Sequence, residues 1–233
     1  MWNGKMKAVT FSYDDGVHQD IRLVELFNKY GLKATFNINS ELLGVESFWN
    51  VGENPIDRHT ITAPEMKSLY EGHEVAVHTL THPFLPDLPD EEIIRQVEED
   101  RKNLEKIMGY DICGMAYPCG GENNNDRVAE IIRANTKIKY SRTIVSSYSF
   151  EVQENLLRFN PTIMHTEFEK LDELMDKFIA LKPDKPQILY IWGHSYELDY
   201  MDRWGTLEKF LQKISGKDDI FYGTNREVLL FEA

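Results

Sequence analysis

The chain has 233 residues, of which 42% are hydrophobic and 28% charged, enough for one sizeable core. Its net charge of -13 argues against a surface that neutralises a nucleic-acid backbone or an anionic membrane. Two cysteines, Cys113 and Cys119, are too few for a disulfide framework. The opening "MWNGKMKAVT" lacks the apolar stretch and cleavage site of a signal peptide, and no run is long enough to span a bilayer, so a cytoplasmic chain is expected.

In chain order, "KAVTFSY" (7–13) reads as a strand and runs into "DDG". A helix over 18–30 follows, with Ile21, Val24, Leu26, Phe27 and Tyr30 on one face and Gly31 as its stop. After a strand over 33–38, Thr62 and Glu65 form a capping-box pattern that predicts a helix over "MKSLY". Beyond them come a strand (74–78), a helix (90–108), a strand (112–117), a helix (125–134), two strands (139–144 and 156–160), a helix (167–181), a strand (187–193), a helix (204–214) and a last strand (219–223). This alternation implies parallel strands with helical crossovers: a single-domain distorted (β/α) barrel over 1–233, with seven or eight strands. A doubly wound sheet is the competing architecture, but no Gly-rich phosphate loop follows the first strand.

In such folds the working residues sit at the carboxyl ends of the strands. Asp14 and Asp15 follow the first strand, Asn37 and Asn39 end the second, and His78 ends the third with His82 four residues on. "YPCGG" ends the fourth, Arg142 falls late in the fifth, and His194 follows the seventh. In "HTLTH" the two imidazoles can reach one side of a turn and share a metal with a rim carboxylate. Two His and one Asp leave positions open for water and substrate. One aspartate of the pair can ligate, and the other can serve as general base. The turn at "YPCGG" presents backbone N–H groups, with that of Cys119 as the expected oxyanion donor. His194 reads as the general acid, with Glu197 as a partner for its second nitrogen. Trp192, Tyr117 and Asn37 are expected to line the substrate pocket. His73 reads as structural, and His18, His59 and His165 form no constellation.

"SYDDG", "HTLTH", the "YPCG" turn and the late "WGH" resemble, in order, the motifs of the polysaccharide deacetylases (NodB homology domain, carbohydrate esterase family 4). The resemblance covers about residues 8–195 and implies a distorted (β/α) barrel with one divalent metal, zinc first, with Co, Ni, Mn or Fe as alternatives. It implies Asp14 as base, Asp15, His78 and His82 as metal ligands, and His194 as acid. Three departures stand out. Ala116 occupies the position of the family's base-orienting arginine, which suggests that Arg142 substitutes from the next strand; Cys119 stands where an aromatic is common; and no Asp-x-x-Asp-Trp motif tunes the acid. Trp192 falls where a leucine usually lines the acetyl pocket. The expected activity is therefore metal-dependent removal of an acetyl or related acyl group from an N-acylated sugar or small amide. The alternatives are allantoinase-like or deformylase-like hydrolysis and a catalytically silent carbohydrate-binding member. A two-His-one-carboxylate iron oxygenase suits the second aspartate and His194 less well.

Overall fold

The computed structural model describes residues 1–51 and 54–231. The elements are β1 (Lys7–Asp14), α1 (Asp20–Lys29), β2 (Thr35–Ile38), β3 (Phe48–Val51), β4 (Asn54–Asp57), α2 (Ala63–Leu69), β5 (Glu74–Val77), α3 (Asp90–Met108), β6 (Gly114–Ala116), α4 (Asp126–Asn135), β7 (Tyr140–Arg142), β8 (Ile163–Met164), α5 (Phe168–Ala180), β9 (Gln187–Gly193), α6 (Ser195–Tyr200), α7 (Trp204–Ile214), β10 (Ile220–Tyr222) and α8 (Asn225–Leu229).

Eight strands form one sheet in the order β7-β6-β5-β2-β1-β9-β8, with β10 added beside β1, and every pairing within it is parallel. Strand β1 is buried along its whole length, as a strand covered on both faces must be. It pairs with β9 from Lys7 to Tyr13 on one side. On the other side β10 takes Lys7–Val9 and β2 takes Ser12–Asp14. One strand thus serves three neighbours, and this splits the barrel wall at its centre. The expected distorted (β/α) barrel is the fold observed.

The helix predictions at 90–108 and 204–214 match α3 and α7, and the others shift by a few residues at their ends. Helix α3 stops at Gly109, whose φ of +82° is the left-handed region that glycine enters without strain. The Thr62–Glu65 capping box is formed, with Thr62 N–H donating to Glu65 Oε2 at 2.8 Å. The strand expected at 156–160 is instead a 3-10 turn over Leu156–Arg158, with only Phe159 bridging to Arg142. Arg158 is drawn sideways to Asn124 and Asp126, and Pro161 prevents the ladder from continuing. The sheet position is filled by β8, too short to leave a periodic signal. Thr143 N–H to Phe159 O (2.9 Å) and Thr162 N–H to Tyr190 O (2.8 Å) close this side of the barrel through irregular chain. The antiparallel hairpin β3–β4 and the short helices α6 and α8 were not anticipated. No helix among the described residues is long and apolar enough to cross a membrane.

Candidate active site

The turn after β1 sends two neighbouring carboxylates to different partners. Asp15 has φ +79° and Gly16 φ +62°, and a Cβ on Gly16 would lie 2.7 Å from Ile38 Cδ1, so glycine is favoured as the third residue of "DDG". Asp15 Oδ1 lies 3.6 Å from Nε2 of both His78 and His82, and the three donor atoms fall within 4.8 Å of one another. Donors bonding a tetrahedral ion at ~2.1 Å stand roughly 3.4 Å apart, so this corner fits a divalent cation. His78 Nδ1–H donates to Ala116 O at 2.9 Å, which leaves the Nε2 lone pair facing the corner. Burial holds His78 down at about 4, so the ring is neutral, as a ligand must be. Burial alone would raise the Asp15 carboxyl, but His194, His78, His82 and Arg58 outweigh it and hold the group below its ordinary range. Asn39 donates to the backbone carbonyls of His78 and Thr79, fixing the "HTLTH" turn from below.

Asp14 is cradled by a different set. Arg142 Nη2 donates to both carboxylate oxygens, at 2.6 Å to Oδ1. Its Nε reaches Ser12 Oγ (3.2 Å) and its Nη1 the Thr143 carbonyl (3.1 Å). The guanidinium lies 4.4 Å from the Trp192 ring centre, a cation–π contact in a dry setting. Ala116 and Arg142 are register partners on β6 and β7, so the arginine reaches Asp14 from one strand further along. Trp192 both lines the cavity and backs this arginine. Asn37 is corrected: it is 1% exposed, and its amide donates to Ser12 Oγ, Tyr13 O and Asp14 Oδ1, so it orients Asp14 and does not face substrate.

His194 Nε2 lies 3.9 Å from Asp14 Oδ2, and its Nδ1 lies 3.3 Å from Glu197 Oε1. Glu197 Oε2 also accepts from His194 N–H (3.0 Å) and meets His165 Nε2 at 2.9 Å, while His165 Nδ1 meets the Tyr13 hydroxyl at 3.0 Å. Burial would lower His194, but the neighbouring Glu197 carboxylate, with Asp15 and Asp14, raises it to about 9. Burial pushes Glu197 up, and its contacts with His165 and His194 more than reverse this, leaving it well below the usual carboxylate range. His165 is a miss of the sequence reading: it is fully buried against Glu197, and a two-residue strand gave no local signal for it. Gly193 makes room for it, since a Cβ there would lie 2.5 Å from the His165 ring.

These groups open into a cavity of about 280 Å³ whose walls include Tyr117, Cys119, Ile144, Trp192, Trp49 and Tyr196. Tyr117 offers its ring, because its hydroxyl is spent on Leu157 O at 2.7 Å. The Cys119 N–H points at His82 Nε2 (3.4 Å), and thus into the corner formed by Asp15, His78 and His82. The Cys119 thiol is raised by burial and by Asp15, which disfavours the thiolate that a nucleophile or ligand needs. Asp15, Thr79, His82 and Cys119 all have positive φ (+60° to +79°), so the rim concentrates strained backbone. Arg58, unforeseen from sequence, donates from Nη2 to Asp15 Oδ2 at 2.6 Å.

The family model described as polysaccharide deacetylase matches residues 3–137, more than half of the chain. The chain belongs to the polysaccharide deacetylase family. It is 24% identical over 148 residues to chitin deacetylase 2 of Cryptococcus neoformans var. neoformans, covering 59% of this chain and 32% of that protein. It is 28% identical over 123 residues to the peptidoglycan-N-acetylmuramic acid deacetylase PdaC of Bacillus subtilis, covering 52% of this chain and 23% of that one. Each match thus spans a third or less of the relative's length. Among solved structures, a family 4 carbohydrate esterase from Streptomyces lividans in complex with acetate superposes with a TM-score of 0.56, covering 94% of this chain and 92% of that one at 14% identity. At that identity the likeness speaks for the polysaccharide-deacetylase fold.

Proposed function

We propose that this chain is a metal-dependent hydrolase that removes an acetyl or related acyl group from an N-acylated sugar. The carrying observation is the division of labour in "DDG": Asp15 faces His78 and His82, while its neighbour Asp14 is held by Arg142 and Asn37 with His194 3.9 Å away. A divalent cation held by Asp15, His78 and His82 supplies an acidified water and polarisation of the acyl oxygen. Asp14, fixed on one side by the guanidinium, takes the proton of the attacking water. The Cys119 N–H stabilises negative charge as it grows on the acyl oxygen. His194, kept protonated by Glu197, gives its proton to the leaving nitrogen. Zinc comes first among the candidate ions, although an Asp-His-His set selects weakly among Zn, Co, Ni, Mn and Fe.

The testing experiment loads the purified chain with zinc and follows acetate release from N-acetylglucosamine tetramers, before and after exhaustive chelation. Release that disappears on chelation and returns with metal is the expected outcome. Undiminished release from the stripped chain would sink the metal-dependent reading, and binding without release would favour a silent carbohydrate-binding member.

A further inference from the structure

His165 is fully buried, yet both of its ring nitrogens have polar partners. It follows β8 and is anchored by its own backbone N–H, which donates to Trp192 O at 2.7 Å. Its ring lies across the bare Gly193, the register partner of Tyr13 on β9, where a Cβ would come within 2.5 Å of it. The Tyr13 ring stands edge-on to it, with centres 5.3 Å apart, and the Phe168 ring lies stacked at 6.4 Å. An apolar ring would fill such a place without two nitrogens to satisfy, so the hydrogen bonds call for a reason. With the Tyr13 hydroxyl donating to Nδ1 (3.0 Å), the ring proton sits on Nε2 and is donated to Glu197 Oε2 (2.9 Å). The same oxygen accepts the His194 backbone N–H at 3.0 Å, so two donors from different elements pin Oε2. Oε1 is left facing His194 Nδ1 at 3.3 Å. A carboxylate with one donor can swing about that contact, whereas one with two is held in a single orientation. An anion held beside Nδ1 keeps a proton there, and His194 Nε2, on the side of Asp14, becomes the nitrogen that exchanges its proton.

We propose that His165 is a positioning residue for the acid step: through Glu197 it fixes which nitrogen of His194 gives the proton to the leaving group. The inference rests on the deacylase reading and adds a residue to its acid half. The test compares two substrates of the zinc-loaded chain, N-acetylglucosamine tetramers and para-nitrophenyl acetate. In the amide, the C–N bond breaks with its electron pair going to nitrogen, which takes the His194 proton. In the ester, the C–O bond breaks and the phenolate departs with the pair, needing no proton. A hydrogen bond to a charged group is worth roughly 10- to 100-fold, so His165→Leu should lower kcat on the tetramer by that factor with KM little changed. Zinc-dependent turnover of the ester should fall by less than ~3-fold, because the metal corner and base are untouched. His165→Gln restores an N–H donor and should recover most of the tetramer rate. Tyr13→Phe keeps the ring but frees Nδ1 of His165, so it should show the same split at about 3- to 10-fold, and it carries the test if His165→Leu does not fold. Equal losses on the two substrates, an unchanged tetramer rate, or a Gln variant no better than Leu would overturn the proposal and leave His165 as packing alone. No zinc-dependent acetate release from tetramers by the wild-type chain would overturn the deacylase reading, and this proposal with it.

Discussion

Removing Arg142 tests the way Asp14 is held. The pair is buried on both sides, with side-chain exposures of 0% and 2%. Arg142→Ala leaves the Asp14 carboxylate without its guanidinium, and breaking a buried pair in this way costs about 3 to 5 kcal/mol. For a chain of this length that corresponds to a fall in Tm of roughly 6 to 20 °C. Arg142→Lys keeps the charge but loses the fork and the stacking on Trp192, so an intermediate loss is expected. Urea unfolding of the metal-free chain measures the stability term. Steady-state kinetics of the zinc-loaded chain measure the other consequence: kcat should fall by ~10²-fold or more with KM little changed, because a general base contributes on that scale. The Lys variant carries this readout if the Ala variant does not fold. A loss under ~1 kcal/mol in Arg142→Ala, or a kcat of Arg142→Lys equal to wild type, would refute the assignment.

The metal corner predicts that Asp15→Asn, His78→Ala and His82→Ala each lose stoichiometric zinc on dialysis; one equivalent retained, by elemental analysis, would remove that residue from the ligand set. His194 is raised to about 9 in the metal-free fold against 6.5 for the free group; a cation at Asp15 offsets part of that rise, so activity of the zinc-loaded chain should fall on an alkaline limb at or below about 9. The same shift stabilises the metal-free fold fully below pH 6.5, by about 3 kcal/mol at most, and that contribution is lost on the way up to 9. Glu197→Gln should move the alkaline limb of the pH–rate profile to lower pH; an unmoved limb would detach Glu197 from the acid. Burial raises Asp20 to about 7, against the bonds it accepts from Ser195 (2.5 Å) and Tyr70 (2.8 Å). Its folded value exceeds its unfolded 3.8, so stability should be full below about pH 4 and decline by up to ~4 kcal/mol as pH rises through 7. Asp20→Asn should flatten that slope in urea titrations at pH 5 and 8, and an unchanged slope would count against it.

The sequence carried the barrel because its strands are buried on both faces and read as apolar runs, as in "QILYIWG" of β9. It also carried the rim, since Asp14, Asp15, His78, Arg142 and His194 all fall at strand ends, where a parallel sheet collects side chains. What was lost came from elements that are very short or lack a buried apolar run: the hairpin strands are as long as β2 and β5, but Phe48 and Trp49 are exposed and Pro55 falls inside the second. Strand β8 has two residues, the hairpin strands have four each, and the hairpin leads directly to Arg58. His165 was out of reach for a different reason. Its importance lies in a contact with Glu197 across 32 residues, which no local pattern encodes. Asn37 was misjudged because the strand-end rule gives a residue's location but not the direction in which its hydrogen bonds are used.

The left-handed residues of the rim carry a lesson for anyone wishing to harden this protein. Asp15, Thr79, His82 and Cys119 each hold a backbone shape that costs on the order of 1 kcal/mol or more. Together they hold several kcal/mol, a sizeable fraction of the roughly 5 to 15 kcal/mol of net stability typical of a domain. Thr79, β-branched and fully buried, is the most uncomfortable of the four, and glycine there would relax the turn that carries both histidines. The easiest gains in heat resistance therefore lie at the positions where rigidity has been bought for the chemistry, and a selection for survival alone would be drawn to dismantle the site first.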